Sequence, residues 1–320
     1  METTASDDFA ALTGPFRREL LAHCYRMLGS ADEAEDLVQE TYLRAWRAFG
    51  GFEGRSSVRT WLYRIATNAC LTALERRARR PLPSGLGAPS EDPGASLPSS
   101  PEVPWLQPLP DALLAEPGNP ADITAARFGT RLAMAAALQR LSARHRAMLI
   151  LRDVLGWPAA DVAALLGTTT TAVNSGLRRA RTQLTAALPR EEEIALPNDP
   201  ALLATLDRFS AAFENADENL LAQLLRDDVT LEMPPMRAWF AGREAVLRFF
   251  ATQLLSVPGQ LRVLRTAANG QPAFGVYLRE PDGTFESHGL TVLTVTPTGI
   301  SRIVMFLGAA TPGLPAGLPE

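Results

Sequence analysis

The chain has 320 residues, of which 46% are apolar and 21% are charged. This length and composition exclude a wholly disordered chain and exceed what one ordinary core accommodates, so we expect more than one folded domain. The net charge of −4 conceals an asymmetry: residues 121–190 carry an excess of seven arginines over acidic residues, and residues 191–320 an excess of seven acidic residues. Such a split is typical of a nucleic-acid binder with a non-binding appendage.

Cys24 and Cys70 are the two cysteines, too few for a disulfide framework or a thiolate metal site, and we expect neither a metal nor a cofactor. No apolar run approaches the roughly 20 residues of a membrane span, and the start, METTASDDFA, lacks the features of a signal peptide. These observations predict a soluble, cytoplasmic protein with no membrane partner.

Residues 1–80 are predicted to form a helical domain. The stretch from Ser30 to Glu33 has the form of a capping box, which marks a helix start. Apolar positions then recur every three or four residues through Trp46. Five polar residues and Leu43 fall mostly on other faces, where solvation explains the polar ones on pattern alone; the six are Asp36, Gln39, Glu40, Leu43, Arg44 and Arg47.

A loop over residues 50–57 leads into a second long helix, which we expect to run from Val58 until Pro81 stops it. Polar side chains able to face outward are Arg59, Arg64, Asn68, Arg76, Arg77, Arg79 and Arg80. Aromatic residues lie between them and could stack unpaired bases. For Trp46 and Trp61, packing in the core is the favoured alternative.

Residues 81–122 are rich in proline, glycine and serine and are predicted to be a linker. Its apolar island, VPWLQPLPDALL at 103–114, suggests docking on a neighbouring surface. A second helical domain is predicted over residues 123–190, beginning with a helix from about Ala125 to Leu141.

The stretch GWPAADVAALLGTTTTAVNSGLRRAR predicts a helix-turn-helix, with Pro158 in the first turn of one helix and Gly167 at the turn. A plain three-helix bundle explains the same periodicity, but the local positive charge favours DNA contact. The second helix would present to a major groove Thr170, Thr171, Asn174, Ser175, Arg178 and Arg179.

Residues 29–81 resemble the second conserved region of extracytoplasmic-function (ECF) sigma factors, and residues 138–184 resemble their fourth region. The resemblance implies that the first module docks on the clamp helices of RNA polymerase and melts the minus-ten promoter element, while the second reads the minus-thirty-five element and touches the polymerase flap. It places Asp36, Gln39, Glu40 and Arg44 in the polymerase-docking helix. The implied minus-ten contacts are Phe52, Gly54, Arg55, Ser56 and Ser57 in a base-capturing loop, then Arg59, Thr60, Arg64 and Asn68.

Gly176 departs from the family pattern, because that position is usually basic. Glycine inside a helix costs about 1 kcal/mol relative to alanine. We expect the missing side chain to remove a phosphate contact and to weaken or alter binding of the upstream element.

Residues 198–310 differ in kind, since helix-like stretches at 200–217, 218–228 and 242–256 accompany strand-like runs. They predict an α+β domain of helices packed on a curved antiparallel sheet. This order, with MPPMRAWFAGREAV after the first strand, is similar to the SnoaL-like branch of the nuclear-transport-factor-two-like fold. That fold often encloses a cavity, which several of these residues would line: Met233, Met236, Trp239, Phe240, Phe249, Tyr277, Phe285 and His288.

Three hypotheses remain at this level. The leading one is a promoter-specificity subunit that is not an enzyme, in which the acidic tail contacts the helical domains and regulates them. The rival is a small-molecule enzyme fused to a DNA-targeting module, although Glu232, Glu286 and His288 form no recognisable dyad by their spacing. The third is a repressor that binds duplex DNA without polymerase.

Overall fold

The computed structural model describes residues 2–75, 78–114, 130–187, 199–255, 257–308 and 318. The chain divides into two compact units, Met1–Arg80 with Leu113–Pro189, and Pro81–Ala112 with Arg190–Glu320. The predicted order, two helical modules followed by an α+β module, is confirmed.

The first module of unit 1 contains α1 (Glu2–Thr13), α2 (Arg17–Leu28), α3 (Ala31–Ala48) and α4 (Val58–Leu74). Local sequence sets two of these starts, because the Ser30 and Ser57 hydroxyls accept backbone N–H groups at the amino ends of α3 and α4. Helix α4 ends at Leu74, earlier than expected, and the predicted outward positions Arg76 and Arg77 lie outside the described residues.

The second module contains α5 (Leu132–Gln139), α6 (Ala143–Leu149), α7 (Ala159–Leu165) and α8 (Thr170–Ala187), with a π-helical turn at Ile150–Val154. The first part of the helix expected from Ala125 lies outside the described residues. Gly167, at φ 58°, makes the turn between α7 and α8. The predicted helix-turn-helix is therefore present in the structure.

The two modules pack on each other within unit 1, where α2 contacts α5 and α6 and α4 contacts α6. The rings of Tyr63 and Trp157 meet edge to face with centroids 6.3 Å apart. Both side chains are buried, so the contact belongs to the interior of the unit.

Unit 2 contains α9 (Pro200–Glu214), α10 (Glu218–Leu224) and α11 (Arg243–Gln253) with a six-stranded sheet. The strands are β1 (Leu225–Glu232), β2 (Trp239–Ala241), β3 (Leu261–Ala268), β4 (Gln271–Arg279), β5 (Phe285–Thr296) and β6 (Gly299–Leu307), in the order β2-β1-β6-β5-β4-β3.

The sheet departs from prediction in two places. Residues 225–228 were expected to continue a helix but begin β1, and β1 pairs in parallel with β6, so the sheet is mixed and not purely antiparallel. Both differences come from β6, which pairs Ile300 with Leu225 and Val304 with Glu232.

The helices cover one sheet face with a core rich in phenylalanine, and this core includes Leu293 and Ile303. Side chains alternate across a strand, so Val292 and Val304 lie on the opposite face, where they are also buried. Residues 81–112, called here the connecting segment, belong to this unit.

Hydrogen bonds anchor the connecting segment around β1 and β2, where Ser90 and Ser100 also donate to the carbonyls of Trp239 and Pro235, and at the β3–β4 hairpin. Near β1, the Ser84 N–H donates to Glu232 Oε2 at 2.8 Å, and the Trp239 Nε1–H donates to the Gly87 carbonyl at 2.9 Å. At the β3–β4 hairpin, Leu109 exchanges two hydrogen bonds of 2.8 and 2.9 Å with Asn269. Within the segment the Leu106 N–H donates to the Pro81 carbonyl at 3.0 Å. This bond closes residues 82–105 into a loop.

Candidate functional site

Helix α3 presents one outward face with both polar and apolar side chains. Of the four predicted docking residues, Asp36, Gln39 and Arg44 are exposed and Glu40 is half-buried. Arg44 Nε donates to Glu40 Oε1 at 2.8 Å, one helical turn away. The same part of the helix exposes 52% of Leu43 and 43% of Trp46.

Core packing of Trp46 is therefore a wrong prediction. The ring of Phe9, on α1, meets Trp46 edge to face at 5.2 Å and covers only part of it. The sequence of α3 alone does not show how far α1 extends across this helix.

The loop before α4 brings most of its predicted residues to the surface. Gly54 adopts φ 67°, which its lack of a side chain permits, and is exposed together with Arg55 and Ser57, whereas Ser56 is half-buried. Phe52 packs on Trp61 with ring centroids 4.7 Å apart and a 33° interplanar angle. Trp61 is thus half-buried beside the loop and not in the core.

Two predicted minus-ten residues of α4 are exposed and two are engaged within the protein. Arg64 and Asn68 are exposed. Thr60 takes part in the helix cap, its hydroxyl lying 2.9 Å from Ser57 Oγ. Arg59 forms a bidentate ion pair with Glu19, with bonds of 2.8 to 3.0 Å, and this pairing raises the pKa of the guanidinium. Sequence reasoning did not identify Glu19, because it lies on α2.

Helix α8 places its predicted promoter contacts on the outward side. Thr170, Thr171, Asn174, Arg178 and Arg179 are exposed, and Ser175 is half-buried. The opposite side of the helix is buried in the module through Val173, Leu177 and Ala180. The helix can therefore present a polar, cationic face without losing its packing.

Gly176 lies on the side of α8 that faces α6. A Cβ atom built there would lie 2.6 Å from Met148 Sδ and 3.3 Å from His145 Cδ2. The expectation that this position has lost an outward phosphate contact is therefore wrong in its reasoning, since a side chain here would begin against α6 and not in solvent. The effect on upstream-element binding stays a prediction.

Arg146 is a buried cation that sequence analysis did not identify. Its guanidinium donates to the carbonyl of Met27 on α2, to the carbonyls of Leu138, Gln139 and Leu141, and to Gln139 Oε1. Burial lowers its pKa to about 10, which still leaves the group charged at neutral pH. The side chain therefore joins the carboxyl ends of α2 and α5, one from each helical module.

The predicted cavity residues of unit 2 lie in different surroundings. Met233 and Phe249, like Phe240, are part of the core between helices and sheet. Trp239 holds the connecting segment. Tyr277 is buried, and alternation from the core residue Val276 places it on the other sheet face. His288 is half-buried, and burial lowers its pKa.

The three residues considered for catalysis are not brought together. Glu232 is 1% exposed, accepts from the Arg302 guanidinium, and also accepts the Ser84 N–H. Glu286 is exposed on β5. The strand register separates Glu232 from His288 by two strands and four residues along the sheet, or roughly 16 Å between backbones.

Within the described part of the chain, no helix is long and apolar enough to cross a membrane. The same residues contain no cluster of three or more histidine, cysteine, aspartate or glutamate side chains placed to hold a metal ion.

Comparison with known proteins identifies the family. The models for Sigma-70 region 2 and Sigma-70, region 4 match residues 13–80 and 131–184. The ECF RNA polymerase sigma factor SigG of Mycobacterium tuberculosis is 50% identical over 304 residues, which cover 94% of this chain and 81% of SigG. The chain belongs to the ECF RNA polymerase sigma factors. The predicted family is confirmed, and this sigma factor binds RNA polymerase and promoter DNA.

The similarity extends through the third module of the sigma factor. The ECF sigma factor SigJ of Mycobacterium tuberculosis is 28% identical over 244 residues, 73% of this chain and 69% of SigJ. The crystal structure of SigJ from that organism aligns with a TM-score of 0.58 at 24% identity, covering 95% of this chain and 96% of that one. The two proteins therefore share a fold.

Proposed function

We propose that the outward face of α3 docks this sigma factor on the clamp helices of RNA polymerase. Asp36, Gln39, Glu40 and Arg44 surround the exposed side chains of Leu43 and Trp46. Large apolar residues within a polar rim are characteristic of protein interfaces. The family resemblance assigns this helix to the polymerase, and the exposed aromatic supports that assignment.

The polymerase flap is the proposed partner of an apolar cleft formed mainly by the second module. The cleft has a volume of about 390 Å³, and α5, α6 and α8 contribute Met134, Leu138, Leu149 and Leu184 to its wall, which Arg26 of α2 also lines. Arg181 stands at the cleft and pairs with Asp153 at 2.6 Å. An apolar cleft with charged groups beside it suits an amphipathic segment of a protein partner.

Promoter opening is assigned to the loop and helix that follow α3. Phe52 and Trp61, whose rings pack on each other at a tilt, adjoin the loop with the exposed Gly54 and Arg55, and Arg64 and Asn68 extend the polar surface along α4. Unstacking a base costs a few kcal/mol, and aromatic faces with nearby hydrogen-bonding groups recover part of this cost.

We assign reading of the upstream element to α8. The observation that carries this proposal is the exposure of its predicted contact positions. Six predicted contact positions line the outward side of a helix whose other side is buried. Asn174 suits adenine, and Arg178 and Arg179 suit guanine or phosphate.

Reconstitution with sigma-free core polymerase on a promoter library tests these assignments together. Arg178→Ala should weaken promoter binding and leave polymerase association intact, whereas Asp36→Ala should weaken polymerase association and leave isolated upstream-element binding intact. Arg248→Ala, which removes an exposed arginine paired with Glu244 on α11, is the control and should change neither. Failure of both test variants at the same step would contradict the division of roles.

Regulation is the proposed role of the six-stranded module. The connecting segment lies between the two promoter-binding modules in sequence and is anchored on this module at Glu232 and Asn269. Holding the segment restrains the modules that it joins. The chain without residues 190–320 should therefore differ from the full chain in polymerase binding and run-off transcription, and identical behaviour would remove the regulatory role.

We propose no catalysis for this module, because the Glu232 carboxylate is committed to Arg302 and Ser84. Glu232→Gln should change transcription through the connecting segment. Turnover of a small molecule that is lost in this variant would favour the fused-enzyme alternative.

A further inference from the structure

A cleft of about 430 Å³ lies beside the recognition helix α8, between it and α6. Helix α6 and its cap contribute Ser142, Arg144, His145 and Met148, and α8 contributes Ala172, Ser175, Gly176 and Arg179. Two of these, Ser175 and Arg179, also belong to the predicted promoter-reading face. The cleft is therefore continuous with that face.

Gly176 lets α8 lie close to α6 at the cleft. A Cβ atom at this position would lie 2.6 Å from Met148 Sδ and 3.3 Å from the His145 ring, so a larger side chain would have to displace two residues that line the cleft. Of the lining residues, Arg144 is exposed and His145 is half-exposed.

The position of the cleft relative to DNA identifies its occupant. The major groove is about 12 Å wide and a helix with its side chains is 10–12 Å across, so the flanks of an inserted helix face the phosphate backbones. The cleft lies on such a flank, and Arg144, Arg179 and His145 are nitrogen donors suited to a phosphate. The Arg144 guanidinium also donates to the Leu166 carbonyl, which fixes it to the helix-turn-helix.

We propose that this cleft binds a backbone phosphate of the upstream promoter element, with Arg144 and His145 supplying contacts from outside the recognition helix. The proposal rests on the assignment of α8 to promoter DNA.

The test measures binding of the full chain to a fluorescent random-sequence duplex as the salt concentration is raised. A lost phosphate contact reduces the slope of log K against log salt by about 0.9. Arg144→Gln should produce this change and weaken binding to every duplex, and His145→Gln, which removes a hydrogen-bond donor and no arginine, should weaken binding to every duplex. Arg140→Gln removes an exposed arginine of the same module outside the cleft and should leave the slope unchanged.

Arg178→Ala separates the two ways in which the proposal can fail. If Arg178→Ala weakens binding while Arg144→Gln matches Arg140→Gln, the phosphate cleft is wrong and the role of α8 stands. If Arg178→Ala also has no effect, the assignment of α8 to DNA is wrong, and the cleft proposal falls with it.

Discussion

His23 is a fully buried histidine in the first helical module. Its Nε2 atom lies 2.9 Å from Thr67 Oγ1, its ring meets Tyr63 edge to face, and Nδ1 has no hydrogen-bond partner among the described residues. Burial, and then the nearby positive charge of Arg26, lowers its pKa from 6.5 to about 3. The neutral imidazole is thus the form that the fold accommodates.

Stability of this module should therefore fall with acid. In the unfolded chain the His23 imidazole takes up a proton near pH 6.5, whereas in the folded chain it stays neutral. The contribution of neutral His23 to the free energy of unfolding is therefore fully present above pH 6.5. It is lost as the pH falls towards 3, by up to about 1.4 kcal/mol per pH unit. Urea unfolding at pH 7.5, 6.5 and 5.5 measures the slope. His23→Gln should flatten it, and an unchanged slope in that variant would assign the effect to other groups.

The residues whose surroundings the sequence does not reveal are those whose partners are distant in the chain. Arg59 has the composition and spacing of a DNA contact, but Glu19 on another helix engages it. Gly176 has an outward position in the family pattern, but α6 lies against it. Helical periodicity predicts a face and not what covers that face.

At the scale of elements, local sequence signals predicted helix starts and turns correctly where the hydrogen bonds join residues a few positions apart. The hydroxyls of Ser30 and Ser57 mark helix starts, and Gly167 marks the turn before α8, because each of these signals acts within a few residues. The start of β1 was not predictable in this way. The strand begins at Leu225 because β6, more than seventy residues later, pairs Ile300 with Leu225 and Arg302 with Thr230.

The exposed apolar part of α3 should contribute much of the polymerase affinity. Leu43→Asp places a charge where 52% of an apolar side chain is exposed, and we expect association with core polymerase to weaken about tenfold or more, or about 1.4 kcal/mol. Biolayer interferometry with immobilised core polymerase measures the change. Leu203→Asp is a matched control on α9, where 41% of the side chain is exposed; equal loss in both variants would contradict a specific role for α3.

At the scale of the whole molecule, the connecting segment is part of a folded unit although its composition is that of a linker. The proline and glycine content of this segment predicted a linker without long helices or strands. The apolar island at 103–114 predicted docking on a neighbouring surface, and its Leu106 and Leu109 are fully buried. Neither signal predicted that Glu232 would hold the backbone of Ser84. That contact joins residues more than a hundred positions apart.

Asn269 provides a test of this anchoring. It adopts φ 59°, which glycine also adopts readily, and its Oδ1 accepts the Leu109 N–H. Asn269→Gly therefore preserves the hairpin and removes one hydrogen bond, which contributes about 1 kcal/mol. Hydrogen exchange of residues 106–111 should accelerate severalfold while exchange in α3 stays unchanged; protection equal to that of the parent chain would show that this bond does not anchor the segment.

The backbone bond from Leu106 to Pro81 also sets a contour length. The two promoter elements lie about 25 base pairs apart, or roughly 85 Å at 3.4 Å per base pair. About 50 extended residues, 81–130, could span roughly 165 Å, but with residues 82–105 closed off only about 25 remain, or roughly 80 Å at full stretch. The hydrogen bonds that close off residues 82–105, which are the Leu106–Pro81 bond together with those of Ser84, Ser90 and Ser100 to the six-stranded module, therefore separate a tether that accommodates many promoter spacer lengths from one that is short for all but the most compact.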